Sequence, residues 1–224
     1  MIMSLDGKIS SGDSDKLDTD RDWQHIRGVK EGLWQYYNLE KVTDNCSLIT
    51  GRTLAKIGFN KKKEKPHRIP VTSVIIDNKP HLKKSGVKFL SNKFKRVIVV
   101  TTNSRHPAIG ASDNVEVIQY KTKIDFVDLF EKLKSKFKIN RITIQSGGTL
   151  NSILLRAGLI DQLSIVIAPL LVGGSTTSTL IDGEAIHYVS ELAKLKALKL
   201  KSSIVLKNSY LHLRYNVINA TKIN

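Results

Sequence analysis

Apolar residues recur along this chain in two alternating rhythms, short bursts of period two and longer stretches at helical spacing. Alternation in Arg141-Ile142-Thr143-Ile144-Gln145 predicts a half-buried strand. Ser146, Gly147 and Gly148 break it. Thr149 then starts a predicted helix with Leu150, Ile153, Leu154 and Ala157 at helical spacing and Gly158 as terminator. The nearly continuous apolar run from Leu163 to Leu170 predicts a strand covered on both faces, closed by Pro169 and Gly173-Gly174.

Upstream, Met1-Ile2-Met3 reads as the end of a strand and Ser4 to Ile9 as a turn with one acid and one base. After a polar loop from Gly12, Asp20 is expected to cap a helix running to about Tyr37. Trp23, Ile26, Leu33, Trp34 and Tyr37 lie along one side of it, and Gly28 and Gly32 weaken it. Both tryptophans are assigned to the core. Strands are expected at Cys46 to Thr50, Val71 to Ile76, Arg96 to Thr101 and Val115 to Gln119. Between them come a short helix at Gly51-Arg52-Thr53-Leu54, a basic loop from Lys56 to Pro70, and a short helix or loop from Lys83 to Asn92. Asp125 to Phe137 predicts an amphipathic helix with Phe126, Leu129, Phe130 and Leu133 inward. Ile181-Asp182-Gly183 is a turn, Leu195 to Leu206 and Tyr210 to Ile218 form a hairpin, and Ala220 to Asn224 is a frayed tail. Strands alternating with helices before a terminal hairpin predict one α/β domain over residues 1–219. Its sheet is mixed and mostly parallel, flanked by helices, with the antiparallel hairpin at the C-terminal end.

The 224 residues are 41% hydrophobic, enough for a sizeable core. No apolar run approaches the roughly 18 residues that span a bilayer, and Met1 to Lys8 reaches an acid and a lysine too early for a signal peptide. The one cysteine, Cys46, excludes an internal disulfide and a cysteine-built metal site, and its strand setting makes it a small buried residue. A cytoplasmic, reducing location fits best. Lys and Arg number 36 against 20 Asp and Glu, a formal charge of +16. The clusters Lys61-Lys62-Lys63-Glu64-Lys65 and Lys132 to Lys138 carry no interleaved aromatics of the kind that stack bases. With the Ile- and Asn-rich composition of an AT-biased genome, solvated basic faces are favoured over nucleic-acid binding, and a small anionic substrate suits either view.

The six histidines are scattered and assigned to surface or loops, no metal-ligand cluster appears, and neither glycine turn continues as a Walker loop. What remains is two glycine turns at helix starts, Gly51-Arg52-Thr53 and Ser146 to Leu150, plus a polar basic loop, Thr101-Thr102-Asn103-Ser104-Arg105. A strand, a glycine turn and a helix N-terminus make either an anion site or an ordinary tight turn. Three such loops at strand carboxyl ends suit a dinucleotide carrying an extra phosphate. A nicotinamide brings its own hydride, so no prominent acid/base pair is required.

Ser4-Leu5-Asp6-Gly7-Lys8, Gly51-Arg52-Thr53, Gly147-Gly148-Thr149-Leu150-Asn151, Ala157-Gly158-Leu159-Ile160-Asp161 and Ile167-Ala168-Pro169-Leu170-Leu171-Val172-Gly173-Gly174 together resemble the reductase domain of riboflavin biosynthesis. That domain stands alone in archaea and fungi and forms the C-terminal half of the bacterial deaminase–reductase. The resemblance spans Met1 to about Asn219 and is densest over 144–174. It implies a dihydrofolate-reductase-like fold, a homodimer, and NADPH across the carboxyl edge of the sheet. Ser146, Gly147, Gly148, Thr149 and Leu150 would hold the pyrophosphate, and Gly51, Arg52 and Thr53 a phosphate from the other side. Thr101, Thr102, Ser104 and Arg105 would lie near the 2′-phosphate. Asp6 and Lys8 would be catalytic, and Met3, Ser4 and Gln145 would contact substrate. No metal is implied.

The chain departs from the family pattern at three places. Gln145 stands where the family carries Glu, Ala55 to Lys65 lacks the family's Asp-Asp-Pro-x-Leu-Thr-x-Arg segment, and only three residues precede Ser4. The implied reaction reduces the ribosylamino group of a pyrimidine ribosyl-phosphate. The alternatives are a dihydrofolate-reductase-like enzyme acting on a pterin or another substrate, and a non-enzymatic basic protein that binds nucleotide or nucleic acid.

Overall fold

The computed structural model describes residues 1–220; Thr221 to Asn224, most of the expected tail, lie outside the described residues. In chain order the elements begin with β1 (Ile2–Ser4), α1 (Thr19–Asp22), α2 (Trp34–Glu40), β2 (Cys46–Thr50), α3 (Gly51–Lys56) and β3 (Ile69–Ile76). Next come α4 (Lys84–Lys93), β4 (Phe94–Thr101), β5 (Val115–Gln119), α5 (Phe126–Ser135) and β6 (Thr143–Ile144). The chain closes with α6 (Gly148–Arg156), β7 (Gln162–Ala168), β8 (Ala197–Val205) and β9 (Leu211–Ile218). These elements form two compact units, Thr43–Ser146 and, around it in sequence, Met1–Val42 with the chain from Gly147 onward. The expected mixed sheet is accordingly realised as two hydrogen-bonded sheets.

The central unit, Thr43–Ser146, holds a five-stranded sheet in the order β5-β4-β3-β2-β6, and every pair in it is parallel. Val74, Ile75 and the run Val97 to Val100 are wholly buried, as parallel strands covered on both faces require. Leu54, Phe59, Phe89 and Leu90 pack on Ile75, Val97 and Val99, with the Phe59 and Phe89 rings edge to face at 5.2 Å. The segment left open between helix and loop over Lys83 to Asn92 is helical, because Val87, Phe89 and Leu90 need burial. In α5, Leu129 and Leu133 point inward and Asp125 caps the first turn by accepting from the Val127 and Asp128 amides. Strand order in this sheet turns back on itself at β2/β6. The carboxyl ends of those two strands therefore sit side by side, with Gln145 N donating to Leu48 O at 2.8 Å. Open α/β sheets place ligands at such a switch point.

The outer unit holds a four-stranded sheet, β1-β7-β9-β8, in which β1 and β7 are parallel and the other pairs antiparallel. The hairpin β8–β9 forms as expected. Strand β7 buries Ile165, Val166 and Ala168, whereas edge strand β8 leaves Leu198, Leu200, Ile204 and Val205 exposed. The core gathers Ile2, Trp23, Val29, Leu33, Val166 and Tyr210, and the Tyr210 hydroxyl donates to Val29 O at 2.7 Å.

The continuous helix expected from Asp20 to Tyr37 is absent. Asp18, not Asp20, caps α1, which passes into a 3₁₀ turn at Trp23–His25. Gly28 then adopts φ +87° with its amide donating to the Glu31 carboxylate at 2.8 Å, and helix resumes only at Trp34. The break sends the two tryptophans apart: Trp23 is buried, but Trp34 is 50% exposed and does not belong to the core. Two histidines assigned to the surface, His106 and His212, are buried. Strand β6 spans only Thr143–Ile144, shorter than the alternation suggests. In α6, Leu150 and Leu154 are covered but Ile153 stays exposed.

Candidate functional site

In the central unit, the ends of β2, β3, β4 and β6 bring Gly51, Asp77, Thr101 and Ser146 to the carboxyl edge of one sheet. Asp77, read from sequence only as the close of a strand, organises this edge. Its carboxylate is buried and accepts four hydrogen bonds. Oδ1 takes the His81 amide at 3.1 Å and His81 Nδ1 at 2.8 Å, and Oδ2 takes the Leu82 amide at 3.1 Å and His106 Nε2 at 3.0 Å. These bonds, led by those from the two imidazoles, more than offset burial and hold its pKa below the usual carboxylate value. His106 Nδ1 accepts from the Ala108 amide at 3.1 Å, so Nε2 carries the proton that Asp77 receives. Among the described residues no trio of side chains is arranged to hold a metal.

Gly51 is required here by contact. A Cβ on it would stand 2.3 Å from Asp77 Cγ and 2.5 and 2.6 Å from its oxygens. The helix it starts has six residues, and Thr50 Oγ1 already accepts the Thr53 amide at 3.2 Å and contacts Thr53 Oγ1 at 2.8 Å. Thr53 is therefore engaged as a cap, and Arg52, which is exposed, is the stronger phosphate candidate. Beyond β4, the Thr101 hydroxyl is buried and donates to Asp77 O at 2.8 Å, so it braces the loop rather than facing a ligand. The Thr102 amide donates to Asn78 Oδ1 and the Arg105 amide to Asn103 Oδ1, leaving Ser104 and Arg105 exposed at the tip. Ser146 is buried and Gln145 half-buried.

In the outer unit, α6 opens at Gly147, whose N-cap position puts no side chain over the first-turn amides. A Cβ at Gly147 would meet nothing within 4 Å. On the Gly147 side the helix start has open space above it, room for a phosphate group. Gly148 is instead tightly covered. A Cβ there would lie 2.3 Å from Thr179 O and 2.5 Å from Asp182 Oδ2. Asp182 thus places a carboxylate at the positive end of α6, while its own amide donates to Gly148 O at 3.1 Å. Sequence reading placed Asp182 in a turn and nothing more.

The turn from Ser4 to Lys8 is fastened to the loop that follows β7. Ser4 is wholly buried: its hydroxyl donates to Asp6 Oδ1 at 2.5 Å and accepts the Lys8 amide at 2.9 Å. Ser4 therefore supports its neighbours and does not itself present a group to substrate. Asp6 also accepts the Gly173 amide at 2.7 Å and the Val172 amide at 3.2 Å. The Ser4 hydroxyl first, then these amides, bring its pKa down to about 2. Asp6 is consequently an ionised acceptor at neutral pH and not a proton donor. Lys8 Nζ donates to Gly174 O at 2.7 Å and Thr177 O at 3.0 Å, bracing the same loop. Met3, in β1, is half-buried.

The Asp6 bonds carry a pH signature. A carboxylate with a depressed folded pKa adds stability above its unfolded value, and that contribution is lost as pH falls to the folded one. Acid unfolding should therefore steepen between about 4 and about 2, and Asp6→Asn should flatten that limb in urea melts taken pH by pH. Identical limbs would remove the assignment. Cys46, by contrast, is buried with its thiol pushed up to about 12 by burial and then by Asp44, and is unreactive. His212 Nε2 is paired with Ser164 Oγ at 2.9 Å and belongs to the sheet.

Residues 1–211 match the profile of the RibD C-terminal domain. The chain belongs to that family. A 2,5-diamino-6-ribosylamino-4(3H)-pyrimidinone 5′-phosphate reductase of Methanothermobacter thermautotrophicus is 29% identical over 210 residues, 91% of this chain and 90% of that protein. Among solved structures, Acinetobacter baumannii RibD superposes with TM-score 0.67 at 20% identity, covering 97% of this chain. This chain spans 56% of that longer protein. The Saccharomyces cerevisiae riboflavin biosynthesis reductase Rib7 gives TM-score 0.60 at 19% identity, with 96% of this chain and 86% of that one covered. These likenesses show the fold, the dihydrofolate-reductase-like α/β arrangement expected from the sequence. Among the described residues no helix is long and apolar enough to cross a membrane.

Proposed function

We propose that residues 1–219 act as an NADPH-dependent reductase of riboflavin biosynthesis. It converts the ribosylamino group of a pyrimidine ribosyl-phosphate, 5-amino-6-(5-phosphoribosylamino)uracil or its diamino analogue, to ribitylamino. The end-to-end alignment with the Methanothermobacter phosphate reductase carries this reading. Bound NADPH supplies a hydride. In the open-chain form of the substrate, the CH=N bond at C1′ would gain that hydride at carbon and a proton at nitrogen, becoming CH2–NH. The chain's own tasks are to bind, to orient and to supply that proton. In the central unit, Ser104 and Arg105 present a hydroxyl and a guanidinium suited to a 2′-phosphate, with Thr102 beside them, and Arg52 with the Gly51 backbone suits a second phosphate. In the outer unit, the first-turn amides of α6 suit a pyrophosphate. Lys8 uses two of its three ammonium protons on carbonyls and has a third to deliver. Met3 and Gln145 would border the substrate.

In this reading the enzyme works in the cytoplasm, with a small anionic substrate as its partner. The basic clusters then serve as solvated faces, and Lys62 and Lys132 rest on aromatic rings at 5.1 Å from Phe59 and 4.9 Å from Tyr120. The exposed apolar side chains of β8 suit burial by a second copy of the chain. Gln145, an uncharged amide where the family carries Glu, favours a second reading in which the substrate is a pterin. NADPH oxidation assayed side by side decides between them: turnover is expected with the pyrimidine ribosyl-phosphate and not with dihydrofolate. The reverse would install the pterin reading. No turnover with either, joined to steeply salt-dependent nucleic-acid binding, would replace both with a binding protein.

A further inference from the structure

Asp77 and His106 stand behind the exposed tip of the 101–106 loop, and neither is an exposed residue of it. Asp77 touches three segments at once. Its carboxylate fills the space beside Gly51, accepts both bonds from His81, and accepts His106 Nε2. Its main-chain oxygen accepts the Thr101 hydroxyl, and the adjoining Asn78 accepts the Thr102 amide. The loop is thus tied at its first residue through Thr101 and at its last through His106, to the same aspartate. Between these ties, Asn103 turns the chain by accepting the Arg105 amide at 2.8 Å while its own amide donates to Thr101 Oγ1 at 3.1 Å. A six-residue loop fixed at both ends can hold the Ser104 hydroxyl and the Arg105 guanidinium in one arrangement. Bidentate recognition of a phosphate needs such an arrangement ready before binding.

We propose that Asp77, through its bond with His106, is the positioning residue that makes this protein prefer a 2′-phosphorylated nicotinamide dinucleotide over its unphosphorylated counterpart. The inference rests on the reading of Ser104 and Arg105 as the 2′-phosphate contact. A buried carboxylate that only stabilised the fold would weaken both cofactors alike when changed. One that sets the loop weakens the phosphorylated cofactor selectively.

Calorimetric titration of the 224-residue chain with NADPH and with NADH, without substrate, separates these roles. Asp77→Asn, which swaps an acceptor oxygen for an amide donor facing an N–H group, is expected to raise the NADPH Kd about tenfold or more, the loss of one charge-assisted hydrogen bond. The NADH Kd should change by less than about threefold, since a uniform weakening would move both. His106→Leu should reproduce that split. His106→Gln keeps a donor for Asp77 while giving up the acceptor for Ala108, and should restore most of the preference. It also keeps the test open if Asp77→Asn fails to fold. Arg105→Ala is the control for the underlying reading. If it leaves the NADPH to NADH ratio unchanged, the loop does not meet the 2′-phosphate and the inference falls with that reading. If Arg105→Ala collapses the ratio while Asp77→Asn and His106→Leu leave it intact, only the positioning role is overturned.

Discussion

Gly148→Ala is expected to destabilise the protein by about 1–3 kcal/mol, the usual cost of forcing a methyl into filled space. A Cβ at this position would sit 2.3 Å from the carbonyl oxygen of Thr179 and 2.5 Å from Asp182 Oδ2. Neither can step aside alone. Asp182 Oδ1 receives the Thr179 amide at 3.0 Å and the Thr179 hydroxyl at 2.6 Å, and the Asp182 amide holds Gly148 O at 3.1 Å. Asn151, in the same helix, donates from its side chain to Leu180 O at 2.9 Å. Relief therefore requires the 179–182 turn to lift off α6 as one piece, breaking several of these bonds together. The neighbouring Gly147→Ala is the matched control. Its Cβ would meet nothing within 4 Å, its φ of −76° suits any residue, and its stability change should stay within about 0.5 kcal/mol. Urea unfolding monitored by far-ultraviolet circular dichroism compares the two: the midpoint should fall for Gly148→Ala with the slope unchanged. Equal midpoints for both variants would show that the turn yields freely and that the close packing is not what demands glycine.

The same pair of glycines shows how far the sequence could be read. Gly147 and Gly148 stood out because they interrupt an alternating strand and precede a helical spacing, and local signals of that kind survive folding. The mostly parallel pairing of β2 to β5 was legible from strands alternating with helices, and the buried run Val97 to Val100 agrees with it. What could not be read was the difference between the two glycines, because Asp182 is 34 positions away from Gly148 in number and appears in sequence only as a turn former. Asp77 carries no local signal of its role either. Its partners are a histidine four residues on and another 29 residues on, and nothing in the spacing joins them. The one available hint was a lone acid at the carboxyl end of a strongly apolar strand, where burial would oblige it to find donors. The failed helix from Asp20 to Tyr37 has the opposite cause: the apolar spacing was real, but a left-handed Gly28 redirected it. Ser4, Asp6 and Thr101 drew attention as polar residues at strand ends and turns. Their polar atoms turn out to be spent on the protein's own backbone and side chains, which composition and spacing do not reveal.

With Asp6 ionised and Ser4 buried, the proposed reaction has Lys8 as its proton donor among the residues of the first turn, and Lys8→Met is then expected to lower kcat by about 100- to 10,000-fold, the range typical of general acid catalysis. Cofactor binding should survive, with the NADPH Kd changed by less than about threefold, because the loss falls on the proton step and not on phosphate recognition. Methionine keeps the length and apolar stem of lysine but removes the donors to Gly174 O and Thr177 O. That loss alone should cost about 0.5–1.5 kcal/mol per hydrogen bond, so some weakening of the fold accompanies the substitution. Single-turnover measurement at saturating NADPH, at a temperature well below the melting point of the variant, keeps that structural loss out of the rate. Lys8→Arg sharpens the reading. A guanidinium can still reach the two carbonyls but stays protonated at any working pH. It should therefore recover stability without recovering turnover. If instead both variants turn over within threefold of the parent, the nitrogen of the reduced imine takes its proton from water, and Lys8 serves this protein only as a brace between its first turn and the glycine loop after β7.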